Sequence, residues 1–130
     1  MIRTNFTKIF GQEHFQVVQG RYYWRDLEPQ KGVYDFSEIE ADLAYLAQNG
    51  KRLVAQISER RFNSPILPVP DYLINDPIYG GGYLAGEKES IARVWDPDVL
   101  ARLQALEAAL GARFDAEPYF EATNVAEAAL

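Results

Sequence analysis

The stretch 21-RYYWRDLEPQKGVYDF-36 places two tyrosines, a tryptophan, two arginines and two acids within its first eight residues. Arg21 alternates with Gln19 and Tyr23, which puts these three on one face of a strand. Val18, Gly20, Tyr22 and Trp24 share the other face. A second polar group, Gln56, Ser58, Glu59, Arg60 and Arg61, closes a short apolar run, and Glu127 follows another strand-like run. Guanidinium, amide, hydroxyl and carboxylate chemistry is thus on offer, and other chemistries are not. The chain has no cysteine, so thiolate chemistry and disulfides are excluded. The single histidine, His14, gives no basis for a Ser-His relay or a histidine metal centre. The glycine run 80-GGGYLAG-86 lacks the lysine and the leading strand of a phosphate cradle. No cofactor and no metal is expected.

The elements that must position these groups follow from composition and periodicity. The 130 residues are 48% hydrophobic and 25% charged, ordinary values for one soluble domain with a modest core. Thirteen basic against nineteen acidic residues give a net charge of −6, which argues against a basic face for nucleic acid. No run approaches the ~20 apolar residues of a membrane span. The opening MIRTNFTKIFGQEHF has no apolar core of the kind a signal peptide needs.

Residues 15-FQVVQGRYYW-24 read as a strand rich in β-branched and aromatic residues. Ser37 with Glu40 reads as a capping box, followed by Ile39, Leu43, Leu46 and Ala47 at helical spacing and by Gly50 as a left-handed cap. The run 52-RLVAQIS-58 is a second strand. Segment 59–94 reads as long and irregular, fixed by Pro65, Pro68 and Pro70 and loosened by Gly80, Gly81 and Gly82, with one helical turn in VPDYL. Asp96-Pro97 opens a helix whose apolar stripe is Val99, Leu103, Leu106 and Leu110, with Gly111 as its end. A third strand, 119-YFEATNV-125, follows. This order predicts an α/β fold with parallel strands at about 16–24, 52–58 and 119–125, and helices at about 37–49 and 97–110 on one face.

Trp24, Glu28, Pro29, Gly32, Tyr34, Asp35 and Phe36 spell W-x-x-x-E-P-x-x-G-x-Y-D-F. This string resembles the segment after the second barrel strand in clan A glycoside hydrolases, notably the β-galactosidase types of families 42 and 35. The runs 52-RLVAQIS-58 and 69-VPDYL-73 resemble that clan's third strand and the turn after it. The run 95-WDPDVLARLQALEAALGARFD-115 resembles the helix leading into its fourth strand. The resemblance covers residues 15–130 and implies a partial (β/α)8 TIM barrel, the N-terminal portion of an architecture that takes ~250 residues. Open sheet edges would then favour self-association.

The resemblance further implies a carbohydrate substrate and retaining hydrolysis by two carboxylates ~5–5.5 Å apart. Glu127 falls at the place of the clan's acid/base, although Ala126 stands where an asparagine normally precedes it. The plainer reading of Glu127 is a solvated residue opening the next helix. Glu121, at the start of the third strand, reads as a buried polar residue paired with an arginine. Arg21 resembles the clan arginine that keeps the nucleophilic carboxylate ionised; alternatively a structural acid such as Glu121 satisfies it. Tyr79 and Tyr83 flank the glycine run and suit stacking on the apolar faces of a pyranose, whereas Trp24 and Trp95 read as core. Gln56 is a further candidate for substrate binding, and Glu28-Pro29 shapes the strand-to-helix turn. The clan's nucleophile belongs to the seventh strand. A non-catalytic or degenerate carbohydrate-binding or assembly fragment is therefore the second function class, favoured by Ala126.

Overall fold

β-Branched and aromatic residues at alternating positions make Val17–Tyr23 a strand, β1, in the computed structural model, which describes residues 17–125. The chain turns helical at Trp24, so α1 (Trp24–Leu27) begins where the strand was expected to end. Then follow α2 (Ser37–Gln48), β2 (Arg52–Ser58), β3 (Arg60–Phe62), α3 (Asp71–Asn75) and a 3-10 turn (Pro77–Tyr79). The chain continues through β4 (Tyr83–Ala85), β5 (Glu89–Ala92), α4 (Pro97–Phe114) and β6 (Phe120–Val125).

The main sheet has the order β1-β2-β6, and both of its pairings are parallel. Its register aligns Arg21 with Gln56 and Asn124. The fold is therefore mixed α/β with a three-stranded parallel sheet, and no closed barrel forms among the described residues. Alternation decides the two faces. Val18 and Tyr22 of β1 and Leu53, Ala55 and Ile57 of β2 are buried, while Val17, Gln19 and Arg21 are exposed. The buried face is covered by Ile39, Leu43 and Leu46 of α2 and by Val99, Leu103, Leu106, Leu110 and Phe114 of α4. Phe114 stacks on Phe120 at a centroid distance of 4.8 Å. Burying each such side chain stabilises the fold by about 1.5–3 kcal/mol.

The helix ends differ in part from expectation. Ser37 does not cap α2; it is the first helical residue, and Asp35 Oδ1 accepts both its amide at 3.0 Å and its hydroxyl at 2.6 Å. At the other end Gly50 (φ +68°) permits the paired bonds Gly50 N to Ala47 O, 3.1 Å, and Lys51 N to Leu46 O, 2.9 Å. Asp96 caps α4 by accepting from the amides of Asp98 and Val99 at 2.8 and 3.4 Å. That helix does not stop at Gly111. Phe114 continues its apolar stripe and is completely buried, so the extra turn is held by packing.

Segment 59–94 is more ordered than its composition suggests. Strands β3, β5 and β4 form a small antiparallel sheet in that order, aligning Arg60, Ile91 and Leu84. The helical turn expected in VPDYL is α3. Gly82 tightens the segment instead of loosening it. Gly82 (φ +79°) lies so close to α3 that a Cβ would sit 2.8 Å from the Leu73 carbonyl oxygen.

Candidate functional site

The W-x-x-x-E spacing sets Trp24 and Glu28 one helical turn apart, and both are fully buried. Glu28 Oε1 accepts from Trp24 Nε1 at 2.9 Å and from the Tyr72 hydroxyl at 2.8 Å. Its Oε2 accepts from the Gly32 amide at 3.0 Å and from Arg102 Nη2 at 2.8 Å. Arg102 Nε also donates to the Tyr72 hydroxyl at 3.1 Å. Burial pushes the Tyr72 hydroxyl above its ordinary pKa, and the nearby Glu28 carboxylate adds to the rise. The Arg102 guanidinium is likewise pushed up, first by its bond to Tyr72 and then by Glu28. A carboxylate with four donors already on it is a structural knot and has no free oxygen for base catalysis. Its donors come from Trp24 and Gly32, from 69-VPDYL-73 and from α4, so the three segments meet at one group.

The open face of the main sheet is the polar one. Gln19 Nε2 donates to Gln56 Oε1 at 2.7 Å, and Arg21 Nε reaches the same oxygen at 3.4 Å. Asn124 stands in register beside Gln56. Gln19, Arg21, Gln56 and Asn124 thus line up across all three strands on the side away from the helices. Arg21 is not paired with Glu121. That acid is exposed rather than buried and meets Arg52 at 3.2 Å. It is the residue of β6 skipped at a register shift between Leu53 and Val54, which breaks the simple alternation.

Beyond the C-terminal end of β2 the expected cluster divides. Ser58 and Glu59 are buried, and Arg60 bridges Glu59 at 3.3 Å and Glu89 at 3.6 Å. These residues fasten β2 to the small sheet. Arg61 instead lies over the Tyr23 ring, its guanidinium carbon 3.8 Å from the centroid, and lines a cavity of about 410 Å3 with Arg21 and Asp26.

The aromatic candidates need correction. Tyr79 is 3% exposed and packs edge-on against Tyr72 at 5.8 Å, so its ring is a core element and not a platform for a ligand. Trp24 is core, as expected, but Trp95 is 50% exposed with Arg93 lying 5.5 Å from its ring centroid. Tyr83 is half-buried on β4 and lines a cleft with Asn63, Ser64, Lys88 and Ser90. Glu127 and Ala126 lie outside the described residues. Sequence reading missed Tyr72 and Arg102. The one available signal was the position of Arg102 three residues after Val99, on the flank of the apolar stripe.

Among the described residues no group of three or more His, Cys, Asp or Glu is placed to hold a metal ion. No helix among them is long and apolar enough to cross a membrane. The chain matches no known family model and no curated protein sequence.

Proposed function

We propose that this chain forms part of a (β/α)8-type retaining glycoside hydrolase, β-galactosidase-like, in which Glu127 is the general acid/base and Arg21 and Gln56 bind sugar hydroxyls. The supporting observation is the polar row Gln19, Arg21, Gln56 and Asn124 on the helix-free face of a parallel sheet. In a barrel wall that face looks inward, and sugars are held by side chains of this kind. The convergence of the three motif segments on Glu28 supports the reading at the level of scaffold. Tyr83 is the aromatic candidate for a sugar contact, since Tyr79 is buried.

The chemistry asked of Glu127 is proton donation to the glycosidic oxygen and later proton removal from water. A carboxyl desolvated at a barrel mouth keeps its proton near neutral pH and suits both steps. The test is hydrolysis of an alkyl β-galactoside by the complete gene product. Glu127→Gln lowers turnover by about 10²–10⁴-fold, the usual contribution of general acid help. Unchanged turnover of the alkyl glycoside removes Glu127 from the role. Ala126 favours one competing reading, a carbohydrate-binding or assembly module without catalysis. Saccharide binding with no hydrolysis by the wild-type protein selects that reading.

A further inference from the structure

Strand β4 is an edge of the small sheet, and among the described residues it pairs with β5 alone. Arg93 N donates to Gly82 O at 3.0 Å and Gly86 N to Glu89 O at 2.7 Å, with Leu84 aligned to Ile91 between them. Antiparallel bonding alternates, so Gly82, Leu84 and Gly86 direct their backbone groups at β5. The amides and carbonyls of Tyr83 and Ala85 therefore point away from the sheet. The opposite edge, β3, is blunted. There the Ser58 hydroxyl donates to Arg60 O at 2.9 Å, and Arg60 and Arg61 place charge on the strand. Strand β4 has neither a charge nor a proline, the usual guards of an edge, and its Leu84 is 55% exposed.

This edge is complementary to itself. Set antiparallel against a second copy about a twofold axis at Leu84, Tyr83 of each chain meets Ala85 of the other, and each such pair exchanges two hydrogen bonds. Leu84 then faces its counterpart as a non-hydrogen-bonded pair, where side chains approach closest and each covers the other. Counting outward, Gly86 meets Gly82, so no side chain blocks the approach. Exposed Glu87 comes opposite Gly81 and beside Gly80 of the second copy. A Cβ at Gly80 would stand 3.2 Å from Arg93 Nη2, a group whose nearest carboxylate in its own chain, Asp96, is 3.8 Å away. Charge is thus matched on both sides of the axis, Glu87 against Arg93. We propose that β4 is the docking edge for a second copy of this chain, joining two three-stranded sheets into one antiparallel sheet. Three residues a side make a contact of the weak, transient class. The proposal is independent of the catalytic assignment and of the edges of the main sheet.

The experiment uses the absence of cysteine from the 130-residue chain. Leu84→Cys is incubated with oxidised glutathione, and disulfide-linked dimer is followed on a non-reducing gel. On the twofold axis the two Cα atoms stand about 4.5 Å apart, within the about 4.4–6.8 Å that a disulfide spans. Ala85→Cys is the control, because its two copies lie two residues out of register, beyond the about 7 Å limit for a bridge. Leu84→Cys links rapidly, and Ala85→Cys links at least about tenfold more slowly. Ala85→Pro removes an outward amide and leaves the bonds to β5, so it abolishes the linkage of Leu84→Cys. Glu87→Arg slows that linkage at least about threefold, as repulsion replaces two exposed ion pairs. Circular dichroism checks that Ala85→Pro is folded; should it not fold, the comparison of Leu84→Cys with Ala85→Cys still decides. Equal rates for those two variants, or no linkage of Leu84→Cys, overturn the proposal. So does linkage that a folded Ala85→Pro variant leaves unchanged.

Discussion

Glu28 shows how much of a residue's role can be read locally. Its place before Pro29 marked it as a turn-shaping residue, and the i, i+4 relation to Trp24 is visible in the sequence. Its other side-chain partners are 44 and 74 residues away, and no local pattern announces them. The same limit applies to Tyr79, whose position beside a glycine run suggested exposure while Tyr72 and the core cover it. Glu28→Ala leaves the buried end of Arg102, the Trp24 indole, the Tyr72 hydroxyl and the Gly32 amide without their acceptor. The expected loss is about 3–5 kcal/mol, as when one member of a buried ion pair is removed. Urea unfolding measures it, and a loss below about 1 kcal/mol, the range of exposed pairs, contradicts the assignment. Gly20 gives a second prediction at this scale. A Cβ there would stand 2.7 Å from the Tyr22 hydroxyl, which donates to buried Asp42 at 2.8 Å. Gly20→Ala costs about 1–3 kcal/mol through overpacking. Gly20→Ala in a Tyr22→Phe background costs less, because the conflicting oxygen is gone.

Helix and strand identities were legible at the level of elements because each is written in a local period. Three strands and two long helices lie within a few residues of their expected places. Errors arose where tertiary contact overrides a local signal. Phe114 carries α4 past Gly111, and the small antiparallel sheet in 59–94 pairs residues as distant as Arg60 and Ile91. The start of α2 supplies a pH-dependent prediction. The Ser37 hydroxyl, and then its amide, hold the Asp35 carboxyl below its usual value of 3.8. A depressed carboxylate stabilises the fold above its unfolded pKa, and that stabilisation disappears as the pH falls through the folded value. Asp35→Asn is therefore less stable than wild type at about pH 7, and the gap is smaller at about pH 2. Urea melts at the two pH values check it; an equal gap at both contradicts the ionic part of the cap. Asp96→Ala, which removes the acceptor for two amides of α4, costs about 0.5–2 kcal/mol at neutral pH.

Among the described residues, the main sheet has one face under helices and one polar face uncovered, and β1 and β6 each pair with β2 alone. Uncovered parallel edges carry unpaired backbone donors and acceptors that recruit another strand. If the edges of β1 and β6 are open in residues 1–130 expressed alone, the expected outcome is self-association, with a sedimentation coefficient that rises with concentration. A concentration-independent monomer contradicts this expectation. The α/β class and the parallel order were legible because alternating strand and helix periods determine them. Barrel closure is a property of how many such units follow one another, and a local period does not encode it. The central proposal is that Glu127 serves as the acid/base of a retaining enzyme and that the polar sheet face binds saccharide. The most direct measurement uses Glu127→Gln in the complete gene product with an activated aryl β-galactoside and azide, the sugar product being identified by NMR. The account predicts that azide restores turnover and that the product is the β-galactosyl azide, because azide attacks a covalent α-linked intermediate whose own formation inverted the centre once. An α-azide product, or turnover unaffected by both the substitution and azide, would contradict it.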